Sequence, residues 1–375
     1  MVLFLHNRYR TTGGEERVVD ELLELVRERL GEPAQLLTRD SAGVGGAQAA
    51  AGLLRGGLGA RDVARAVRLT GARVVHAHNL NPLFGWRALA AARAEGARVV
   101  LHLHQYRLVC ATGVCFTEGR ECMRCHGRNT LPGVIHNCRG SRAEALAYGA
   151  SLALWQRRLV VQADAVIVPS VFARERLREL GAPLDFERMH VLAPPVGAAE
   201  TKVRVTDGAY ALLAARLAPE KGIDVAIDAC RSAGVPLVVA GDGPEMAALR
   251  ARARHGEVRF VGQVDDAELK RLREGAALAI VPSRSAETFG MAAAEAMAAG
   301  LPVVASRVGA LPELVEEQGL VEPGDPTALA EAIGRLWGDN AAAERGRARV
   351  RELCASEVVA EGLQRIYTAT ASSGT

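Results

Sequence analysis

"VPSRSAETFGMAAAEAMAAGLPVVAS", residues 281–306, runs from the end of one apolar strand through a polar loop and an alanine-rich helix into a second strand. The loop carries Glu287 and Gly290; the helix carries Glu295, eight positions after the first acid. Between the two acids the chain is small and apolar, so neither has the setting of a solvated helix face. A carboxylate kept beside a glycine turn at a strand end is placed to read a ligand.

The same strand-then-helix rhythm extends in both directions. "YALLAAR" (210–216), "PLVVAGDG" (236–243) and "VRFVGQV" (258–264) read as strands before it. In the first half "VLFLH" (2–6), "RVVHAH" (73–78), "RVVLHLH" (98–104) and "DAVIVPS" (164–170) do the same. After the first strand, apolar residues at 19, 22, 23, 26 and 30 mark one face of a helix. This alternation is the pattern of a parallel sheet covered on both faces. Periodicity is lost in "PPVGAAETKVRVTDG" (194–208) and then resumes. The expected fold class is α/β, with two doubly wound Rossmann-like domains facing a cleft. Residues 1–196 would form the first, 197–208 the linker, 209–356 the second and 357–375 a final helix crossing back. Ligands in such sheets lie at the carboxyl ends of the strands.

Composition fits a globular protein: 375 residues, 49% apolar and 24% charged. "MVLFLH" is too short for a signal peptide, and no run reaches the length needed to span a bilayer. The expectation is a cytoplasmic protein. Net charge is +3, but residues 1–196 hold 26 Arg and 18 acids, leaving 20 basic and 25 acidic residues beyond them. A basic first half suits an anionic substrate, or peripheral contact with the inner membrane face. Nucleic acid is excluded as a partner, because no basic run is interleaved with aromatics.

In the second half "AARLAPEKG" (214–222) puts Arg216 and Lys221 around a loop entering a helix, a clamp suited to a diphosphate. "VVAGDGPE" (238–245) is a strand-to-helix turn whose Gly243 adds a second anion-type site. Gly290 can present its backbone N–H at the start of the next helix.

These segments, with "GALPELV" (309–315), occur in an order that resembles the donor half of the family 4 retaining glycosyltransferases, which have the GT-B fold. The resemblance implies a nucleotide-diphosphate-sugar donor. Glu295 would accept hydrogen bonds from the ribose hydroxyls, and Glu287 would contact sugar hydroxyls near the transferring carbon. The amides around Phe289, Gly290 and Met291 would hold sugar and phosphate. Arg216 and Lys221 would neutralise the departing diphosphate, and backbone atoms near Val264 would read the base. In the first half, Gly13 and Gly14 match the glycine pair that lets the backbone approach the donor. His104 matches the His of the family's "HD" pair near the sugar, with Gln105 in place of the Asp. The expected catalytic set is His104, Glu287, Arg216 and Lys221. His76, His78 and His102 alternate with apolar residues and read as packed or cleft-lining; His78 and Asn79 are candidate acceptor contacts.

Five of the seven cysteines fall between 110 and 138. "CMRC" (122–125) is a C-x2-C knuckle with Cys110 twelve positions before it and Cys138 thirteen after. Those four are the composition of a structural zinc site, with Cys115, His126 and His136 as substitutes. The stretch, about 107–140, resembles a Cys-rich insertion in a subset of the family, and an irregular insertion too short for its own core is expected to need a metal staple. Reduced thiols packed together, or redox chemistry, are the alternatives. The helix after them, with Tyr148, Trp155, Arg157 and Arg158, reads as cover for the first sheet, with a lipid-facing role as the alternative.

The resemblance therefore implies a metal-independent hexosyltransferase moving a sugar with retention to a glycan, lipid-linked or small-molecule hydroxyl. A GT-B epimerase or phosphorylase, or a non-catalytic sugar-nucleotide binder, are the rivals. The base, the sugar and the acceptor are not legible.

Overall fold

The computed structural model describes residues 1–9, 13–197 and 204–369. Half of the expected linker (198–203 of 197–208) and the chain after residue 369 lie outside them. Two compact units are present. Unit 1 comprises Met1–Cys115, Cys122–Pro195 and Ser356–Thr375; unit 2 comprises Phe116–Glu121 and Val196–Ala355.

Unit 1 is built on six parallel strands: β1 (Val2–Arg8), β2 (Ala34–Asp40), β3 (Val74–Ala77), β4 (Arg98–His102), β7 (Ala165–Val168) and β8 (Met189–Val191). Their spatial order is β2-β1-β3-β4-β7-β8, so the winding reverses between β1 and β3. β3 is buried at every residue, as a strand covered by helices on both faces must be. Between β4 and β7 lies a short hairpin, β5 (Phe116–Thr117) with β6 (Arg120–Glu121). Glu118 and Gly119, both at positive φ, make its turn.

The helix Ser356–Thr368 belongs to unit 1, although it is last in the chain. The Arg98 Nε donates to the Ile366 carbonyl at 3.1 Å, and Arg29 pairs with Glu357. The Tyr367 hydroxyl lies 2.7 Å from His76 Nδ1 in the core.

Unit 2 repeats the architecture with β9 (Tyr210–Ala214), β10 (Leu237–Ala240), β11 (Val258–Gly262), β12 (Ala276–Val281), β13 (Val303–Ser306) and β14 (Leu320–Val321). Their order, β11-β10-β9-β12-β13-β14, reverses between β9 and β12. The loops after β9 and β12 therefore leave the sheet on either side of the point where ligands bind in open parallel sheets.

Candidate functional site

At that switch point of unit 2, the loop after β9 supplies Lys221 and the loop after β12 supplies Ser283 and Glu287. Lys221 Nζ donates to Glu287 Oε1 at 2.6 Å, and the Ser283 hydroxyl donates to the same oxygen at 2.6 Å. Burial alone would push the Glu287 carboxyl up. The Lys221 charge, its hydrogen bond and that from Ser283 outweigh it and hold the group below the usual carboxylate range.

Two glycines fix this geometry. Gly222 takes φ 66°, and a Cβ there would stand 2.1 Å from the Pro282 carbonyl oxygen, so the two loops pack backbone to backbone. Gly309, φ 64°, leaves its open side 2.3 Å from the Glu287 nitrogen, and Ala310 N–H donates to the Glu287 carbonyl at 2.9 Å. The "GALPELV" turn thus clamps the backbone of the acid.

Gly290, φ 101°, caps the helix Met291–Ala298, with Phe289 buried just before it. Any Cβ on Gly290 would meet the Leu311 side chain at 2.7 Å. Glu295 lies in this helix, four residues beyond Met291, and forms an ion pair with Arg273 in which both side chains are mostly buried. Arg216 is half exposed and pairs with Glu220, while Gly243 packs against the Leu217 carbonyl. Val264 follows β11 and is half-buried. The expected donor residues of unit 2 therefore follow the carboxyl ends of β9, β10, β11 and β12, most on the loops there and Met291 and Glu295 on the helix after β12; among them Lys221 and Glu287 are in contact. Ser283, Arg273, Glu220 and Gly309 were not singled out in the sequence. "PSRSAE" and "GALPELV" were quoted there, but nothing local says that they meet.

Unit 1 holds a pocket partly open to solvent. Its polar wall includes Glu15, His78, Asn79, His104, Gln105 and Arg107; its apolar wall includes Leu53, Trp86, Leu108, Leu152 and Trp155. Gly13 is the N-cap of the helix Gly14–Glu28, and its N–H donates to Glu16 at 2.9 Å. Glu15 accepts from the Tyr9 hydroxyl at 2.7 Å and from the Gln105 amide at 3.3 Å. A carboxylate therefore stands beside Gln105, supplied by the first helix and not by the position after His104. His104 Nε2 lies 2.8 Å from His78 Nδ1. Burial pushes the His104 imidazole down, Glu15 and Glu16 pull it partly back, and it stays below its ordinary value.

The four expected zinc ligands share one region, where Cys125 senses the charges of Cys110, Cys122 and Cys138, but they do not stand at ligand spacing. Among the described residues, no three of Cys110, Cys122, Cys125 and Cys138, nor of those with the substitutes Cys115, His126 and His136, bring ligand atoms within 4.8 Å of one another. The zinc expectation rested in part on a long irregular insertion having no core of its own. The insertion instead leans on the rest of unit 1. Ala111 packs with Leu53, Tyr148 and Leu152, the Thr130 hydroxyl donates to the Gly149 carbonyl, and Gln156 donates to the Gly127 carbonyl. Cys110 hydrogen-bonds to Cys115, which lowers the Cys110 thiol well below its ordinary value and raises that of Cys115.

Residues 9–195 match the model of the glycosyl transferase 4-like domain, and residues 208–339 that of the glycosyl transferases group 1. The chain belongs to the group 1 glycosyltransferases. Among curated relatives of this glycosyltransferase, a glycogen synthase from Mycobacterium tuberculosis is 34% identical over 229 residues, covering 57% of this chain and 54% of that one. A phosphatidyl-myo-inositol mannosyltransferase from Mycobacterium leprae is 37% identical over 172 residues, covering 42% and 45%. The chain spans about half the length of the curated relatives it matches. Among solved structures, sucrose-phosphate synthase from Thermosynechococcus elongatus superposes with TM-score 0.70 at 20% identity, covering 98% of both chains. Anabaena HepE in complex with UDP and glucose gives TM-score 0.65 at 19% identity, covering 98% and 99%. These likenesses give the glycosyltransferase the GT-B fold class. No helix among the described residues is long and apolar enough to cross a membrane.

Proposed function

We propose that the glycosyltransferase transfers a sugar, with retention, from a nucleotide-diphosphate-sugar to an acceptor hydroxyl. The observation that carries this reading is the Lys221–Glu287–Ser283 cluster at the switch point of the unit 2 sheet. Lys221, Arg216 and the amide-bearing helix start at Gly290 form a preorganised positive field for a departing diphosphate. Glu287, held ionised, accepts hydroxyls of the transferring sugar, and Glu295 exchanges its Arg273 pairing for the ribose hydroxyls.

The glycosidic bond to the diphosphate oxygen breaks first, and the sugar becomes oxocarbenium-like. The acceptor oxygen bonds to the same face, and its proton passes to the leaving phosphate oxygen. No side chain needs to form a covalent intermediate. His104, Glu15 and Asn79 in the unit 1 pocket are the acceptor-side candidates. A glycan or lipid-linked acceptor is favoured by the pocket's mixed walls and by the basic first half. The exposed Leu146, Leu154 and Val161, beside Arg157 and Arg158, are consistent with peripheral lipid contact.

The test needs no acceptor. Nucleoside diphosphates raise the melting temperature if they bind the folded chain, and donor sugars are then assayed for slow hydrolysis. Binding without any turnover of any donor would favour the sugar-nucleotide binder.

A further inference from the structure

The core of unit 1 holds a second gathering of ligand-type side chains, of which His78 and His102 also reach the wall of the acceptor-side pocket. One ring nitrogen from each of His76, His78 and His102 lies within 4.8 Å of the other two, and all three rings are buried. Sheet geometry brings them together. His76 is in β3 and His78 just beyond it, two positions apart and so on one face. The register pairs Ala77 with Leu101, which carries His78 alongside His102.

His76 Nε2 stands 3.3 Å from His102 Nδ1. Two nitrogens on a tetrahedral ion with bonds of about 2.0–2.1 Å are separated by about the same distance. The outward nitrogens are already engaged: His76 Nδ1 lies 2.7 Å from the Tyr367 hydroxyl, and His78 Nδ1 lies 2.8 Å from His104 Nε2. Metal-bound imidazoles are oriented by such partners on the far nitrogen. His78 Nε2 is buried and has no hydrogen-bond partner, and with His102 offering Nδ1 its Nε2 is the far nitrogen, which has none either. The charge of a dication has a counterweight in the buried Glu15 and Glu16, which approach His6, whose ring meets His78 edge-on at 6.3 Å.

We propose that His76, His78 and His102 form a three-imidazole site for a first-row divalent ion, best suited to zinc, with Tyr367 as the positioning residue for His76. The ion ties β3 to β4 and, through Tyr367, to the helix Ser356–Thr368. A water molecule completes the fourth position.

The test uses the full chain, purified without a histidine tag, stripped by chelator and titrated with Co2+. Stoichiometric binding with visible d–d bands, no sulfur-to-cobalt charge transfer and displacement by Zn2+ is expected. His102→Phe should abolish it. Because that variant removes a core ring and can fail to fold, Tyr367→Phe is the second arm: it should keep the one-to-one stoichiometry and lose about 10–100-fold in affinity. No binding by the folded wild-type chain would leave a plain histidine hydrogen-bond ladder and overturn the proposal. A sulfur charge-transfer band, lost in Cys125→Ser and indifferent to Tyr367→Phe, would overturn it in favour of the thiols.

Discussion

Lys221 and Glu287 are 66 positions apart in the chain and meet at 2.6 Å, one on each side of the switch point of the unit 2 sheet. Neither is fully covered, with the side chains 26% and 17% exposed, so the pair is held yet reachable. Glu287→Gln should cut turnover while leaving affinity for the nucleoside diphosphate nearly intact, measured by initial rates and calorimetry. Lys221→Met removes the cation and keeps the bulk. It should destabilise unit 2 by about 1–3 kcal/mol, and the double variant should recover part of that loss. Strict additivity in the double variant would mean that the two side chains do not interact in solution.

Glu295→Gln should behave differently. If the ribose exchanges for Arg273, the loss appears in affinity for the free nucleoside diphosphate, about 1–3 kcal/mol for a charged hydrogen bond. Calorimetry on the two variants side by side separates the roles, and equal losses would contradict the division.

The acidity of Glu287 sets a pH dependence. Its folded pKa lies below the unfolded carboxylate value, so its stabilising contribution is fully present above about 4.5 and is lost only as pH falls through the folded value. The acid limb of the turnover profile should therefore not come from this residue at neutral or mildly acidic pH. A limb near neutrality that vanishes in Glu287→Gln would refute the ion pair as described.

Gly309→Ala isolates the clamp on the Glu287 backbone. Left-handed φ and a contact at 2.3 Å both oppose the methyl group, a strain of about 1–3 kcal/mol. Gly324, at φ 82° with open space around it, supplies the control. Gly324→Ala should lower the melting temperature without changing turnover, whereas Gly309→Ala should lower both.

Alkylation should distinguish the paired thiols. Cys110 is half-buried and shifted toward thiolate, while Cys115 is buried and shifted away from it. At neutral pH, peptide mapping after limited iodoacetamide treatment should find Cys110 modified well ahead of Cys115.

The two sheets were legible because strands buried on both faces must be written as apolar runs, as in "RVVHAH" and "LAIVPS". β2 went unread since half-buried polar residues interrupt its pattern at the sheet edge, and β8 and β14 because three and two residues carry no periodicity. Glu287, Lys221 and Gly290 were readable as chemistry at strand ends. The Arg273 partner of Glu295 and the Gly309 clamp were not, because they arise from packing between distant segments. The thiols are harder to read for a related reason: their spacing is that of a zinc knuckle, while the fold also pairs Cys110 with Cys115 and docks the insertion on neighbouring helices.

Tyr367 and Ile366 reach the unit 1 core from a helix that follows the whole of Val196–Ala355 in the chain. During synthesis at about 5–20 residues per second, the unit 1 sheet is therefore exposed long before the helix that completes it has been made. The largely contiguous unit 2 can reach its native packing first, and the final turn of the last helix becomes a checkpoint for the older half. A ribosome that stalls before Ser356 leaves unit 2 whole and unit 1 without the helix that closes its core.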